Sequence, residues 1–81
     1  MKTQMILEVG DRVTVKALED YAICYNNQFG GTESFPKGTI KKCKIIKTWE
    51  DYEIGRRYIG VTIDEQKIYF GEFGVEIKLN D

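Results

Sequence analysis

Carboxylates and aromatic rings occur together in two stretches of the 81-residue chain that contain no basic residue, 17–36 and 49–55. A surface of this composition can hold an arginine or lysine of a partner by ion pairing and by cation–π contact. It would recognise a basic protein segment, with Trp49 or Tyr52 as the expected anchor. The residues that we predict to form it are Glu19, Asp20, Tyr21, Tyr25, Trp49, Glu50, Asp51, Tyr52 and Tyr58.

Lysines are concentrated between these acidic stretches, in residues 37–47, where no acid occurs. A basic strand can follow phosphates while nearby aromatic rings stack on bases, which favours an alternative function in nucleic-acid binding. Lysines on a strand also protect an exposed sheet edge from pairing with another chain, which requires no ligand. The residues of the nucleic-acid alternative are Lys41, Lys42, Lys44, Lys47, Arg56 and Arg57.

Catalytic chemistry has little support in the sequence. The chain has no histidine, which excludes a Ser-His-Asp triad, a Cys-His dyad and any histidine-ligated zinc. Adjacent carboxylates such as Asp64 and Glu65 lie in polar turns, and no glycine-rich phosphate-binding loop is present. We therefore predict a protein that is not an enzyme, with no catalytic residues, no metal ligands and no cofactor.

Composition indicates one small globular domain. The chain is 42% hydrophobic and carries a net charge of −1, which argues against a whole-protein electrostatic footprint for nucleic acid. No stretch approaches the roughly 18 apolar residues of a membrane span, and no signal-peptide pattern is present, so we predict a cytoplasmic protein. Cys24 and Cys43 are then expected to be reduced packing residues.

The elements that must position these side chains are strands. Alternation of apolar and polar residues predicts strands at 11–17, 39–48, 57–63, 67–70 and 75–79, with a bulge between Ile40 and Cys43. Residues 18–37 are expected to fold back as an irregular hairpin, and 49–56 to form a polar loop. The predicted inward-facing core is Val13, Val15, Ile45, Ile59, Val61, Ile63, Val75 and Ile77.

Three short motifs resemble the Src-homology-3 family: 17–21 (ALEDY) its opening motif, 34–38 (SFPKG) the entry to its second strand, and Val75 its last-strand valine. The resemblance implies an all-β fold, a single five-stranded Src-homology-3-like barrel over 9–79 with a long first loop, after an N-terminal extension at 1–8. The family's proline-binding residues are largely replaced, by Glu19 and by 71–74 (GEFG) among others. The resemblance therefore implies the fold without proline-peptide binding.

The residues and the resemblance together predict a small intracellular protein-interaction module. Its partner would be a protein with a basic surface or segment, bound through the acidic, aromatic loops, and nucleic acid is the alternative partner. Small size and few motifs also fit a phage- or mobile-element-encoded inhibitor of a host factor.

Overall fold

A computed structural model describes residues 6–26 and 32–80, which form one antiparallel sheet with no helix. The strands, in chain order, are β1 Arg12–Ala17, β2 Ile23–Asn26, β3 Thr32–Ser34, β4 Ile40–Asp51, β5 Gly55–Val61, β6 Lys67–Gly71 and β7 Val75–Asn80. Their order across the sheet is β3-β2-β6-β5-β4-β1-β7. The all-β prediction is confirmed, but the described residues contain seven strands, and the predicted number of five is wrong.

The two additional strands come from the long excursion after β1. Strands β2 and β3 pair in antiparallel register from Cys24 opposite Ser34 to Asn26 opposite Thr32, so the predicted hairpin is confirmed. Residues 27–31, between these two strands in the sequence, lie outside the described residues. Strand β2 also pairs with β6, from Ile23 opposite Phe70 to Tyr25 opposite Ile68, which makes the excursion part of the sheet.

Strand β4 extends beyond its predicted end and includes the first part of the predicted polar loop. Its ladder with β5 continues from Trp49 opposite Arg57 to Asp51 opposite Gly55, so only 52–54 remain as a turn. Asp51 closes this turn, because its Oδ1 accepts hydrogen bonds from the backbone N–H of Glu53 at 2.9 Å and of Ile54 at 3.3 Å. The polar composition of 49–56 therefore predicted a loop where the structure has a continuous hairpin.

The irregularity predicted in β4 occurs at a different position. Ile45 lies opposite Gly60 and Lys47 lies opposite Ile59, so the register shifts at Ile46 rather than between Ile40 and Cys43. The extra residue of a bulge increases local twist and bend. This bend lets the first half of β4 pair with β1 and the second half continue along β5.

The core is a single cluster to which the strands contribute from one face of the sheet. Its buried residues are Leu7, Val13, Val15, Ala17, Ile23, Cys43, Ile45, Tyr58, Ile68, Phe70 and Val75. Four of the eight predicted core residues belong to it, and Ile77 packs against it. Leu7 is only 1% exposed, so the predicted N-terminal extension contributes to the core.

The prediction for β5 has the wrong face. Tyr58, Gly60 and Thr62 are buried, whereas Ile59 and Val61 are half-buried and Ile63 is fully exposed. The Tyr58 ring packs on Phe70 with 5.4 Å between centroids. Since an aromatic ring buries more apolar surface than an isoleucine, inward packing of Tyr58 outweighs the regular aliphatic alternation of its neighbours.

Candidate interaction surface

Three turns that are distant in sequence meet at one end of the sheet. They follow β1, connect β4 with β5, and connect β6 with β7. The backbone N–H of Leu18 donates to the carbonyl of Gly74 at 2.8 Å, and that of Arg56 donates to Glu72 Oε1 at 3.3 Å. These two hydrogen bonds hold the first and the second turn against the third.

Two glycines make the approach between these turns close. Gly55 and Gly74 have φ values of +81° and +77°, which glycine adopts at little cost. A Cβ atom on Gly74 would stand 2.7 Å from Glu19 Oε1, and one on Gly55 would stand 3.1 Å from Phe73 Cε2. Glu19 and Phe73 are therefore packed directly against backbone that carries no side chain.

The side chains gathered here are acidic and apolar. The Arg56 side chain pairs with one carboxylate, its Nη2 lying 3.6 Å from Glu50 Oε2, whereas its backbone N–H donates to Glu72. Phe73 is 68% exposed and Ile54 is 50% exposed. We call Glu19, Glu50, Ile54, Glu72 and Phe73 the loop surface. Three carboxylates, two exposed apolar groups and one arginine at the same end of the sheet favour a basic ligand that also has an apolar side chain.

Two of the predicted carboxylates accept backbone hydrogen bonds that stabilise segments in this region. Asp20 Oδ1 accepts a hydrogen bond from the backbone N–H of Lys37 at 2.8 Å, which fastens the excursion to the segment before β4. Asp51 holds the β4–β5 turn as described above. Of the predicted acids, the structure brings Glu19 and Glu50 into the loop surface, and Asp20 and Asp51 hold the segments beside it.

The predicted tyrosines are dispersed. Tyr52 is 95% exposed in the β4–β5 turn, and Tyr21 is exposed with a φ of +70°. Tyr25 stacks on Phe35 with 4.7 Å between ring centroids, and its hydroxyl donates to Glu33 Oε2 at 2.7 Å. This hydrogen bond to a carboxylate raises the pKa of Tyr25 above its ordinary value. Tyr25 therefore packs within the β2–β3 hairpin.

Trp49 and Tyr58 do not belong to the loop surface. Tyr58 is 1% exposed, and its hydroxyl accepts a hydrogen bond from the backbone N–H of Leu7 at 3.4 Å, so its side chain lies in the core. Trp49 alternates with Glu50 along β4 and so points to the opposite face of the strand. There Lys47 Nζ lies 5.4 Å from the centroid of its ring.

The basic residues of the nucleic-acid alternative are divided between several environments. Lys41 Nζ lies 4.5 Å from the ring centroid of Phe35, and Lys47 lies over Trp49. Arg56 pairs with Glu50, and the Cζ atom of Arg57 would stand 3.2 Å from a Cβ atom on Gly71. Lys42 and Lys44 alternate with the buried Cys43 and so share the face of β4 that points away from the core.

Three members of the loop surface, Ile54, Glu72 and Phe73, were missed by sequence reasoning. Glu72 and Phe73 lie in 71–74 (GEFG), which the sequence showed only as a departure from a known motif. A signal was present, because an acid and an aromatic residue between two glycines are exposed in a turn. Their proximity to Glu19 depends on contacts across the sheet, which no local pattern reveals.

Comparisons with known proteins add no relative at this point: the chain matches no protein-family model, no curated protein and no solved structure. Over residues 6–26 and 32–80, no three cysteine, aspartate or glutamate side chains are grouped as metal ligands. The same ranges contain no helix of the length and apolarity needed to cross a membrane.

Proposed function

We propose that this protein is a protein-interaction module that binds a basic segment of a partner protein through the loop surface. The partner segment would place an arginine or lysine among Glu19, Glu50 and Glu72 and an apolar side chain against Phe73. We further propose that the module acts in the cytoplasm without catalysing a reaction, and that it is a phage- or mobile-element-encoded inhibitor of a host factor.

The fold that we propose for this module is a Src-homology-3-like barrel. Two observations support it: β1 lies between β4 and β7 in the sheet, and the long strand β4 pairs first with β1 and then with β5. The order of strand, long excursion, hairpins and terminal strand also agrees with the predicted barrel with a long first loop. In addition, a single sheet with one core and no second layer among its described residues must curve to cover that core.

The observation that carries the proposed function is that Glu19, Glu72 and the exposed Phe73 come from turns that meet at one end of the sheet, where Glu50 also pairs with Arg56. Three carboxylates and one arginine side chain give this end of the sheet a net negative charge. A cationic partner group would be attracted to this charge, and an exposed aromatic ring supplies apolar contact area. The loop surface therefore has the composition of an interface centre with a charged rim.

A capture experiment with matched variants tests this function. The wild-type protein and the variants Phe73→Ser and Glu72→Lys are immobilised and exposed to native lysate, with and without nuclease. We expect wild type to retain a protein that survives nuclease treatment and that both variants lose. Leu79→Ser and Glu76→Lys are the matched controls, because these residues are exposed on β7, and both controls should capture normally.

The captured protein is then identified, and its binding to the purified module is measured at several salt concentrations. A cationic partner should associate more slowly with Glu72→Lys and more slowly with wild type as salt is raised. Two results would instead support the nucleic-acid alternative. Nuclease would abolish capture, or Lys42→Glu and Lys44→Glu would abolish capture while Glu72→Lys preserves it. Circular dichroism of every variant establishes that it is folded.

A further inference from the structure

The face of the sheet opposite the core carries a concavity of about 590 Å³ where β1, β4 and the end of β5 meet. Its floor includes Ile46, Val61 and Ile63, and its cationic side chains are Arg12, Lys42 and Lys44. This volume lies within the range of about 300–1,000 Å³ that is usual for ligand sites. It exceeds the volume of any single side chain, so it can accept several groups of a ligand.

The cations of this concavity are placed against one another. Arg12 lies directly opposite Lys44 in the β1–β4 ladder, and Lys42 is two residues from Lys44 on the same face. Like charges directly opposite each other on neighbouring strands destabilise a sheet. Within residues 6–26 and 32–80, no carboxylate forms an ion pair with any of the three. Proteins tend to break such local rules of stability at functional sites.

The floor of the concavity is apolar and exposed. The side chain of Ile63 is fully exposed and that of Ile46 is 40% exposed, although both are large aliphatic residues. Ile46 is the extra residue of the β4 bulge, which directs it toward this face. Aliphatic groups beside cations that pair with no described carboxylate indicate a ligand that is both apolar and anionic.

The backbone around the floor is well defined by hydrogen bonds. The N–H of Thr62 donates to the carbonyl of Gln66 at 2.9 Å, and the N–H of Glu65 donates to the carbonyl of Thr62 at 2.9 Å. The Thr62 hydroxyl also donates to Asp64. These bonds fix the turn that carries Ile63, so the concavity exists before a ligand arrives and loses little entropy when one binds.

We propose that this concavity is a second binding site, which takes a protein segment with apolar side chains flanked by carboxylates. The carboxylates pair with Arg12, Lys42 and Lys44, and the apolar side chains cover Ile46, Val61 and Ile63. Charge complementarity favours this occupant over a basic segment. No aromatic ring is among the described residues that line the concavity, which favours this occupant over single-stranded nucleic acid, because bases bind chiefly by stacking on aromatic rings.

Binding of defined probes to the purified full chain tests this assignment. The probe is a short fluorescein-labelled peptide of alternating leucine and glutamate. Two control probes are compared with it: the same peptide with glutamine in place of glutamate, and a labelled oligothymidine. We expect anisotropy to show saturable binding of the glutamate peptide that weakens as salt is raised. The glutamine peptide should bind at least about tenfold more weakly, because the charge pairs are lost.

Matched variants locate the site. Lys44→Gln and Ile63→Asn should each weaken binding of the glutamate peptide by roughly fivefold to tenfold. Lys37→Gln removes the same charge elsewhere, and Ile54→Asn changes an exposed isoleucine of the loop surface, so both should leave binding unchanged. Because Ile63 is fully exposed, Ile63→Asn should leave the fold intact, and circular dichroism checks this.

Several outcomes would overturn the assignment. They are no saturable peptide binding, equal binding of the glutamine peptide, tighter binding of oligothymidine than of the glutamate peptide, or equal losses from Lys37→Gln and Lys44→Gln. Sedimentation of the free protein tests whether a second copy of the chain occupies the concavity. Self-association of wild type that is lost in Lys44→Gln would identify that occupant and would also overturn the assignment. None of these results depends on the loop surface, so the proposed function stands or falls separately.

Discussion

Gly60 of β5 lies so close to Cys43 of β4 that a Cβ atom on Gly60 would stand 2.9 Å from the Cβ of Cys43. Real Cβ atoms essentially never approach this closely, so the absence of a side chain at Gly60 is what lets the thiol occupy the core. Cys43 is 6% exposed, and burial raises the pKa of its thiol to about 11.

The first prediction follows from this contact. Gly60→Ala should lower the free energy of unfolding by about 1–3 kcal/mol, because the added methyl group must displace Cys43 or the strand. Urea denaturation measures this change. In Cys43→Ala, which vacates the space, the same glycine substitution should cost much less, so the double-mutant cycle should show coupling. Additive effects of the two substitutions would show that the contact does not limit packing.

The second prediction concerns the inward face of β5 and its neighbours. Ile45→Ala should cost about 2–5 kcal/mol of stability because Ile45 is fully buried, whereas Ile63→Ala should change stability by less than about 0.5 kcal/mol. Thermal or urea denaturation of the two variants makes the comparison. A cost for Ile63→Ala that approaches that of Ile45→Ala would place Ile63 in the core.

The third prediction separates the ring of Tyr58 from its hydroxyl. Tyr58→Ala should cost about 3–5 kcal/mol, because it removes a buried ring that packs on Phe70. Tyr58→Phe keeps the ring and should cost only about 1 kcal/mol, from the lost hydrogen bond with the N–H of Leu7. Chemical denaturation gives both values. A near-zero change in the free energy of unfolding for Tyr58→Ala would contradict the central place of the ring in the core.

The fourth prediction concerns the thiols, both of which are free in the structure. At pH 8 only about one in a thousand Cys43 groups is ionised, given its pKa of about 11, and the group is also buried. Alkylation of the folded protein should therefore modify Cys24 well before Cys43, and denaturant should remove the difference. Melts with and without reductant should nearly coincide, and a large loss of stability on reduction would reveal a disulfide.

The same thiol makes stability depend on pH in a definite direction. Its pKa is raised in the folded state, so the stabilising contribution is complete below the ordinary thiol pKa of about 8.5 and is lost as pH rises toward 11. Wild type should therefore lose more stability than Cys43→Ala between pH 8.5 and pH 11 in parallel melts. Identical slopes for the two proteins would contradict burial of the thiol.

The fifth prediction compares two aromatic residues as anchors for the partner of the loop surface. Phe73→Ala should weaken binding by about 2 kcal/mol, because Phe73 lies among the carboxylates. Trp49→Ala should weaken it much less, since Trp49 points to the other face beside Lys47. Titration calorimetry with the identified partner measures both. A larger loss from Trp49→Ala would move the binding site to the opposite face of β4.

Local patterns were sufficient to predict the strands. The alternation at Val13 and Val15, the inward Ile45 and the hairpin formed from 18–37 all follow from side-chain period and turn chemistry. The sequence likewise predicted that the cysteines are free and that the surface near Glu19 and Glu50 is acidic. These features depend on neighbours in sequence, and so sequence alone determined them.

Tertiary structure decided which face of β5 is inside and which side chains meet. Aliphatic residues at 59, 61 and 63 alternate as a buried face would, but the space beside Cys43 admits only Gly60, and the ring of Tyr58 fills the adjoining core. Glu19, Arg56 and Glu72 come together through hydrogen bonds and glycine contacts between distant turns. Such choices depend on packing volume and on long-range contacts, and neither is encoded in the period of a single strand.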